Sequence, residues 1–247
     1  MTGQRREFAR QLDAIDLKVI ELFATVCEDL PGVTEALLSG SSEVAGRLAE
    51  RDRAIDALYR EIEQLVCREI LLQAPVASDL RFLVTVLRIA PELERSHDLE
   101  CQIASGAGHL LAAELSPRCH GLIERMGELA SGMWGRAADC WHERDGSAAP
   151  ELAKVNDEMH ALHTSLVAEL ASGRMASPVT IEMALVARFY ERLGDHAVNI
   201  VRRVCYLGLH SMTREERARA LGGCQDVPLA LRLVEVVGEL VRDGRVL

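Results

Sequence analysis

Apolar residues recur at steps of three and four along almost the whole chain, and that period leaves little room for anything but long helices. Phe8, Leu12, Ile15, Val19, Leu22, Val26 and Leu30 mark a first stripe, which Pro31-Gly32 is expected to interrupt or kink. Ser41 or Ser42 is a good N-cap for a second helix carrying Val44, Leu48, Ile55, Leu58, Ile62 and Leu65. The segment Gln73 to Asp79 breaks it, and a third helix starts at about Ser78 with Leu80, Leu83 and Leu87 inward. Gly106 and Gly108 weaken its end. The pattern then starts again. Ser116-Pro117 opens a fourth helix reaching about Arg144, and Asp145-Gly146-Ser147 is a turn. Pro150 suits the first turn of a fifth helix, which Ala171-Ser172-Gly173 ends. Ser177-Pro178 opens a sixth, to about Gly208. The expected fold is all-α: two tandem three-helix bundles, residues 1–110 and 111–212, packed side by side. Residues 213–247 form an appendix with a short amphipathic helix from Pro228 to about Asp243.

Composition agrees with helices and excludes several function classes. Aromatic residues are only 4% of the chain, while its 49% hydrophobic content suffices for a real core. The formal charge of -10 argues against a nucleic-acid partner held by a basic face. No apolar run approaches the ~20 residues that span a bilayer, and no signal peptide opens the chain. Cys27, Cys67, Cys101, Cys119, Cys140, Cys205 and Cys224 are odd in number and show no C-x-x-C spacing. They read as reduced, mostly packed thiols of a cytosolic protein.

Two segments echo each other 97 residues apart: Glu94-Arg95-Ser96-His97-Asp98 and Glu191-Arg192-Leu193-Gly194-Asp195. Each places a carboxylate four residues before another, so both point one way from a helix. Extending the third helix's stripe through Ala90 puts Glu94, Asp98 and Cys101 on the core-facing seam. The sixth helix does the same through Ile181, Ala184, Ala187, Glu191, Asp195 and Val198. Asp52 and Asp56 lie on or beside the stripe of the second helix. Unpaired buried carboxylates cost several kcal/mol each, so they must be protonated, paired with arginine or bound to cations. A solvated charged face and an ion-pair network through Arg95 and Arg192 compete with a metal site. Oxygen-only ligands suit iron, manganese, magnesium or calcium.

At these residues the chain resembles the PhoU family. Residues 191–200 are similar to its signature E-R-I/L-G-D-H-A-x-N-I, and residues 75–81 to its segment P-x-A-x-D-L-R. The likeness covers about residues 5–210. It implies a cytosolic regulator, not an enzyme, that restrains phosphate uptake and the phosphate-starvation response. The implied partners are the ATPase subunit of the phosphate ABC transporter and the phosphate-sensing histidine kinase. The family's repeated E/D-x-x-x-D motifs bind metal ions. Carried over, the ligands are Asp52, Asp56, Glu94 and Asp98 in the first bundle, and Glu191 and Asp195 in the second. A homodimer is the expected assembly.

The chain also departs from that pattern. Ser96-His97 stands where the family has Ile-Gly, and Asn156 and His160 stand where two acids belong. An alternative register uses Asp157 with His160. The second site is therefore expected to be weaker, lost, or shifted toward zinc or another transition metal. Pro91 removes a backbone hydrogen bond to the carbonyl of Leu87 and is expected to kink the helix. Glu94-x-x-His97 has the spacing of di-iron carboxylate bundles, which raises a ferritin-like di-metal oxidase as a rival. That architecture needs a second such motif, and Asp157-x-x-His160 is only a loose echo. His97 falls about one position off the stripe, as a boundary histidine would. A metal-free helical adaptor is the third reading. Trp134 and Trp141, seven apart, read as a packed seam, and His160 and His163 as a surface pair. Arg202-Arg203 and the run from Arg214 to Arg219 read as solvated charge. Nothing in the chain argues for catalysis; no phosphate-binding loop or nucleophile elbow is present.

Overall fold

A computed structural model describes residues 2–107, 115–173 and 175–208. It contains six helices in order: α1 Thr2–Ser39, α2 Glu43–Gln73, α3 Ala77–Ala107, α4 Pro117–Glu143, α5 Ala149–Leu170 and α6 Ser177–Gly208. There is no strand among the described residues. The appendix helix expected from Pro228 lies outside them. No helix is long and apolar enough to cross a membrane among the described residues. α1, α2 and α3 pack on one another, as do α4, α5 and α6. The two triplets meet along α1 against α4 and α3 against α6.

The local signals act where they stand. Ser116 takes an extended backbone, and its hydroxyl accepts from the Cys119 amide at 3.2 Å. Pro117 follows at the first helical position, where its missing N–H is no loss. Gly40, at φ 74°, supplies the left-handed step that separates α1 from α2. α1 and α3 run on through Pro31 and Pro91, so neither proline ends its helix. Pro31 lies on the exposed side of α1. The packed apolar face on either side holds the helix past the missing hydrogen bond.

Where the triplets meet, the core is aromatic. Phe23 of α1 lies 6.4 Å from Trp134 and 6.2 Å from Trp141, ring centre to ring centre, and Phe82 of α3 lies 5.9 Å from Trp141. The tryptophans are the packed seam their spacing predicted. Each removes roughly 200 Å² from water, an upper contribution of about 5 kcal/mol. Their indole N–H groups are satisfied: Trp134 donates to the Leu193 carbonyl at 3.1 Å and Trp141 to Asp16 at 2.9 Å. Farther along, Thr34 of α1 hydrogen-bonds Tyr190 of α6 at 2.8 Å and sits against Gly127 of α4. A Cβ at Gly127 would overlap the Thr34 side chain, so glycine lets the bundles approach there.

Candidate functional site

Asp52 and Asp56 stand one turn apart on α2, facing Glu94 and Asp98 one turn apart on α3. All four are half-buried at the α2–α3 edge. Their nearness shows in their proton affinities. Burial holds the Glu94 carboxyl above the usual carboxylate range, and the charges of Asp98, Asp56 and Asp52 add to it against Arg95. Asp98 is raised first by burial, then by Asp52 and Asp56, with His97 opposing. Among the described residues one cation answers directly: Arg60 donates to Asp56 at 3.2 Å. Arg95 is exposed beside the motif. The patch is thus four carboxylates short of positive charge, and its all-oxygen donor set fits a hard or borderline cation.

The inward face of α3 lies elsewhere than the stripe predicted. Leu83, Thr85, Val86, Ile89, Ala90, Glu92, Leu93, Ser96, His97, Leu99, Glu100, Ile103 and Ala104 are among the buried residues, while Leu80, Leu87, Glu94, Asp98 and Cys101 are partly exposed. His97, expected at the boundary, is 1% exposed, and Glu100 is 0% exposed. α3 touches α1, α2 and α6 at once, so its buried arc is wider than one stripe and shifted toward α6. In α6 the reading also shifts: Ile181 is exposed, Glu191 and Asp195 are half-buried, and Ala187 and Val198 are inside.

The second bundle answers its acids with its own side chains. Asn156 of α5 donates its amide to Asp195 at 2.9 Å, and His160 lies 3.2 Å from the same oxygen. Asn156 and His160 themselves are 3.3 Å apart. Glu191 is paired with Arg188 and faces His163 at 3.7 Å and His160 at 3.9 Å. The register with Asn156 and His160 inward is the one adopted; Asp157 is exposed. Gly194 lies against the Asn156 side chain, closing α5 onto α6. This donor set is neutralised internally and fits a metal less well than the first. His163, read as surface, belongs to it; its three-residue step from His160 was the available signal.

Two groups among the described residues bring three ligand atoms within 4.8 Å of one another: Asp52, His97 and Cys101, and Asp29, His97 and Glu100. Asp56, Glu94 and Asp98 belong to neither. The Cys101 thiol is pushed up to about 12 by burial, then by Asp52 and Glu100, so it stays protonated at neutral pH. Cys27 is likewise raised to about 11, first by burial.

The family described as PhoU domain matches residues 19–107 and 123–204. A phosphate-specific transport system accessory protein PhoU homolog from Synechocystis is 32% identical over 83% of this chain and 92% of its own length. One from Zymomonas mobilis is 31% identical over 86% and 94%. The crystal structure of PhoU from Pseudomonas aeruginosa superposes with a TM-score of 0.76 at 25% identity, covering 82% of this chain and 99% of that one. The structure of the phosphate transport system regulatory protein PhoU from Streptococcus pneumoniae gives 0.73 at 24% identity.

Proposed function

The chain belongs to the PhoU family, and from that premise we propose that it is a cytoplasmic negative regulator of phosphate uptake and of the phosphate-starvation response. It works by contact with the ATPase subunit of a phosphate transporter and with a phosphate-sensing kinase, as a homodimer, and turns over no substrate. The observation that carries this reading is the match of both repeats to relatives named as accessory proteins of phosphate-specific transport. Asp52, Asp56, Glu94 and Asp98 hold a cation of the iron, manganese or magnesium kind at the α2–α3 edge. The ion supplies positive charge that the patch lacks and so fixes how these two helices pack. Glu191 and Asp195, already paired with Asn156, His160, His163 and Arg188, form the weaker site.

Deleting the gene and measuring a phosphate-responsive reporter in phosphate-rich medium tests the regulatory role. Derepression restored by the wild-type gene is expected, and an unchanged reporter would sink the proposal. Co-purification with the transporter's ATPase subunit tests the contact separately. Elemental analysis of protein prepared without chelator, with Asp52→Asn/Asp98→Asn beside it, tests the metal. Metal-free wild type would favour the adaptor reading, and oxygen-dependent turnover would favour the oxidase.

A further inference from the structure

Behind the acidic edge, on the core side of α3, lies a second group of polar side chains that the regulatory reading does not use. Glu100 is fully buried, and neither of its carboxylate oxygens makes a hydrogen bond. Nδ1 of His97 is also buried without a hydrogen-bond partner and lies 3.7 Å from Glu100 Oε2. Asp29 of α1 completes the group, with one oxygen within 4.8 Å of both. Buried polar atoms of native proteins are almost always satisfied, and three unsatisfied ones converging on one spot call for a missing partner. A hydrogen bond cannot supply it at 3.7 Å. Two ligands that far apart do suit one ion about 2.1 Å from each, at an angle of roughly 120°.

We propose that Asp29, His97 and Glu100 form a buried site for one divalent first-row transition-metal ion, separate from the acidic edge. One imidazole and two carboxylates are borderline-to-hard donors, suited to zinc, iron(II), cobalt(II) or manganese(II). The other side of the imidazole is set for the task. Nε2 lies 3.5 Å from Cys101 Sγ, so an N–H placed there leaves the Nδ1 lone pair toward Glu100. Asp29 is held by Arg51, whose Nη1 donates to both carboxylate oxygens at 2.9 Å. Arg51 itself is half-exposed. A dication there meets two carboxylates, Asp29 and Glu100, and among the described residues Asp29 is paired with Arg51.

Comparison of the two repeats says that this group is added to the scaffold. Aligned on their E-R-x-x-D segments, His97 corresponds to Gly194, Glu100 to Ala197 and Cys101 to Val198. The second repeat builds the same helix there with residues that carry no ligand. The scaffold therefore does not need His97 or Glu100 for packing. Burial raises the Glu100 carboxyl and depresses the His97 ring, since each charged form loses its hydration there.

The test uses the full chain, stripped with chelator and titrated with Co²⁺ while the visible ligand-field absorption is read. Wild type is expected to bind one Co²⁺ with an imidazole-ligand spectrum, in addition to whatever the acidic edge takes. His97→Gly/Glu100→Ala, which installs the residues of the second repeat, should lose that ion and spectrum. Glu100→Gln, nearly isosteric, should weaken it by roughly 100-fold or more, beyond the loss of an outer-sphere partner. Asp56→Asn/Glu94→Gln/Asp98→Asn should keep the spectrum while losing whatever the acidic edge binds. Equal stoichiometry and spectra in wild type and Glu100→Gln would overturn the proposal. So would a wild type whose Co²⁺ is removed entirely by the acidic-edge substitutions, and that result leaves the metal reading of the edge standing.

Discussion

Replacing Gly194 with alanine sets two opposing effects against each other at a position where the structure gives the size of both. In the middle of α6, alanine is favoured over glycine by about 0.8–1 kcal/mol through backbone entropy. Against this, a Cβ at Gly194 would come closer than 3.0 Å to Asn156 Oδ1, with Asn156 Cγ and Met159 Cγ at 3.5 Å. Asn156 is 7% exposed and cannot swing freely, because its amide is bound to Asp195 and faces His160. Overpacking of this kind costs about 1–3 kcal/mol, and loosening the hydrogen bond to a half-exposed carboxylate about 1 kcal/mol more. The net expectation is a loss of about 2 kcal/mol. For a folded region of this size that lowers Tm by roughly 4–8 °C. Thermal unfolding by far-ultraviolet circular dichroism measures it, and an Asn156→Ala background isolates the cause. With the Asn156 side chain gone, Gly194→Ala should be neutral or stabilising by up to about 1 kcal/mol. If the substitution stabilises the wild type, or has the same effect in both backgrounds, the close approach of α5 to α6 at Gly194 is not what selects glycine.

Tyr190→Phe should lower stability by about 1 kcal/mol in denaturant unfolding, since Thr34 loses a buried partner at 2.8 Å but keeps the Leu30 carbonyl at 3.3 Å. In metal-free protein, Glu94→Gln/Asp98→Asn should be more stable than wild type, and the gap should widen as pH rises. The folded carboxyls are held above their unfolded values, so their contribution is fully present below about pH 4 and is lost as pH climbs through the folded pKa. A gap that shrinks with rising pH would contradict the like-charge account of the patch. His196 gives the opposite slope. Its ring is depressed by burial, although Glu92 and Asp195 favour its charge against Arg192 and Arg95. Its stabilising contribution is therefore present above about pH 6.5 and lost as pH falls through its folded pKa. His196→Gln, keeping a polar atom toward Ser96, should flatten stability loss between neutral and mildly acidic pH. Equal slopes in urea midpoints would remove His196 from the α3–α6 junction's acid response.

How much of this was legible in the chain depends on whether one helix or several decide the answer. The helices were legible because a period of 3.6 and the Ser-Pro starts at Ser116 and Ser177 are written locally. The facing of Asn156 and His160 toward Glu191 and Asp195 was legible too, since the repeat aligned them with Asp52 and Asp56. Pro31 does not interrupt α1, because a proline penalty is local, while the packing that outweighs it comes from neighbouring helices.

His97 and Glu100 show where sequence stopped. A hydrophobic stripe locates a buried face only when a helix has neighbours on one side. α3 is packed by α1, α2 and α6, so its buried arc takes in Ser96, which meets His196 of α6, and His97 and Glu100, which lie near Asp29 of α1. By itself the sequence determined an all-helical chain of two repeats, its family and its acid pairs, because these rest on periodicity and motif. Only the tertiary structure decided that the acids lie at an edge and that a histidine and an unpaired glutamate lie inside. The angle at which one helix meets three others is set by their joint packing and is encoded in no single stretch of residues.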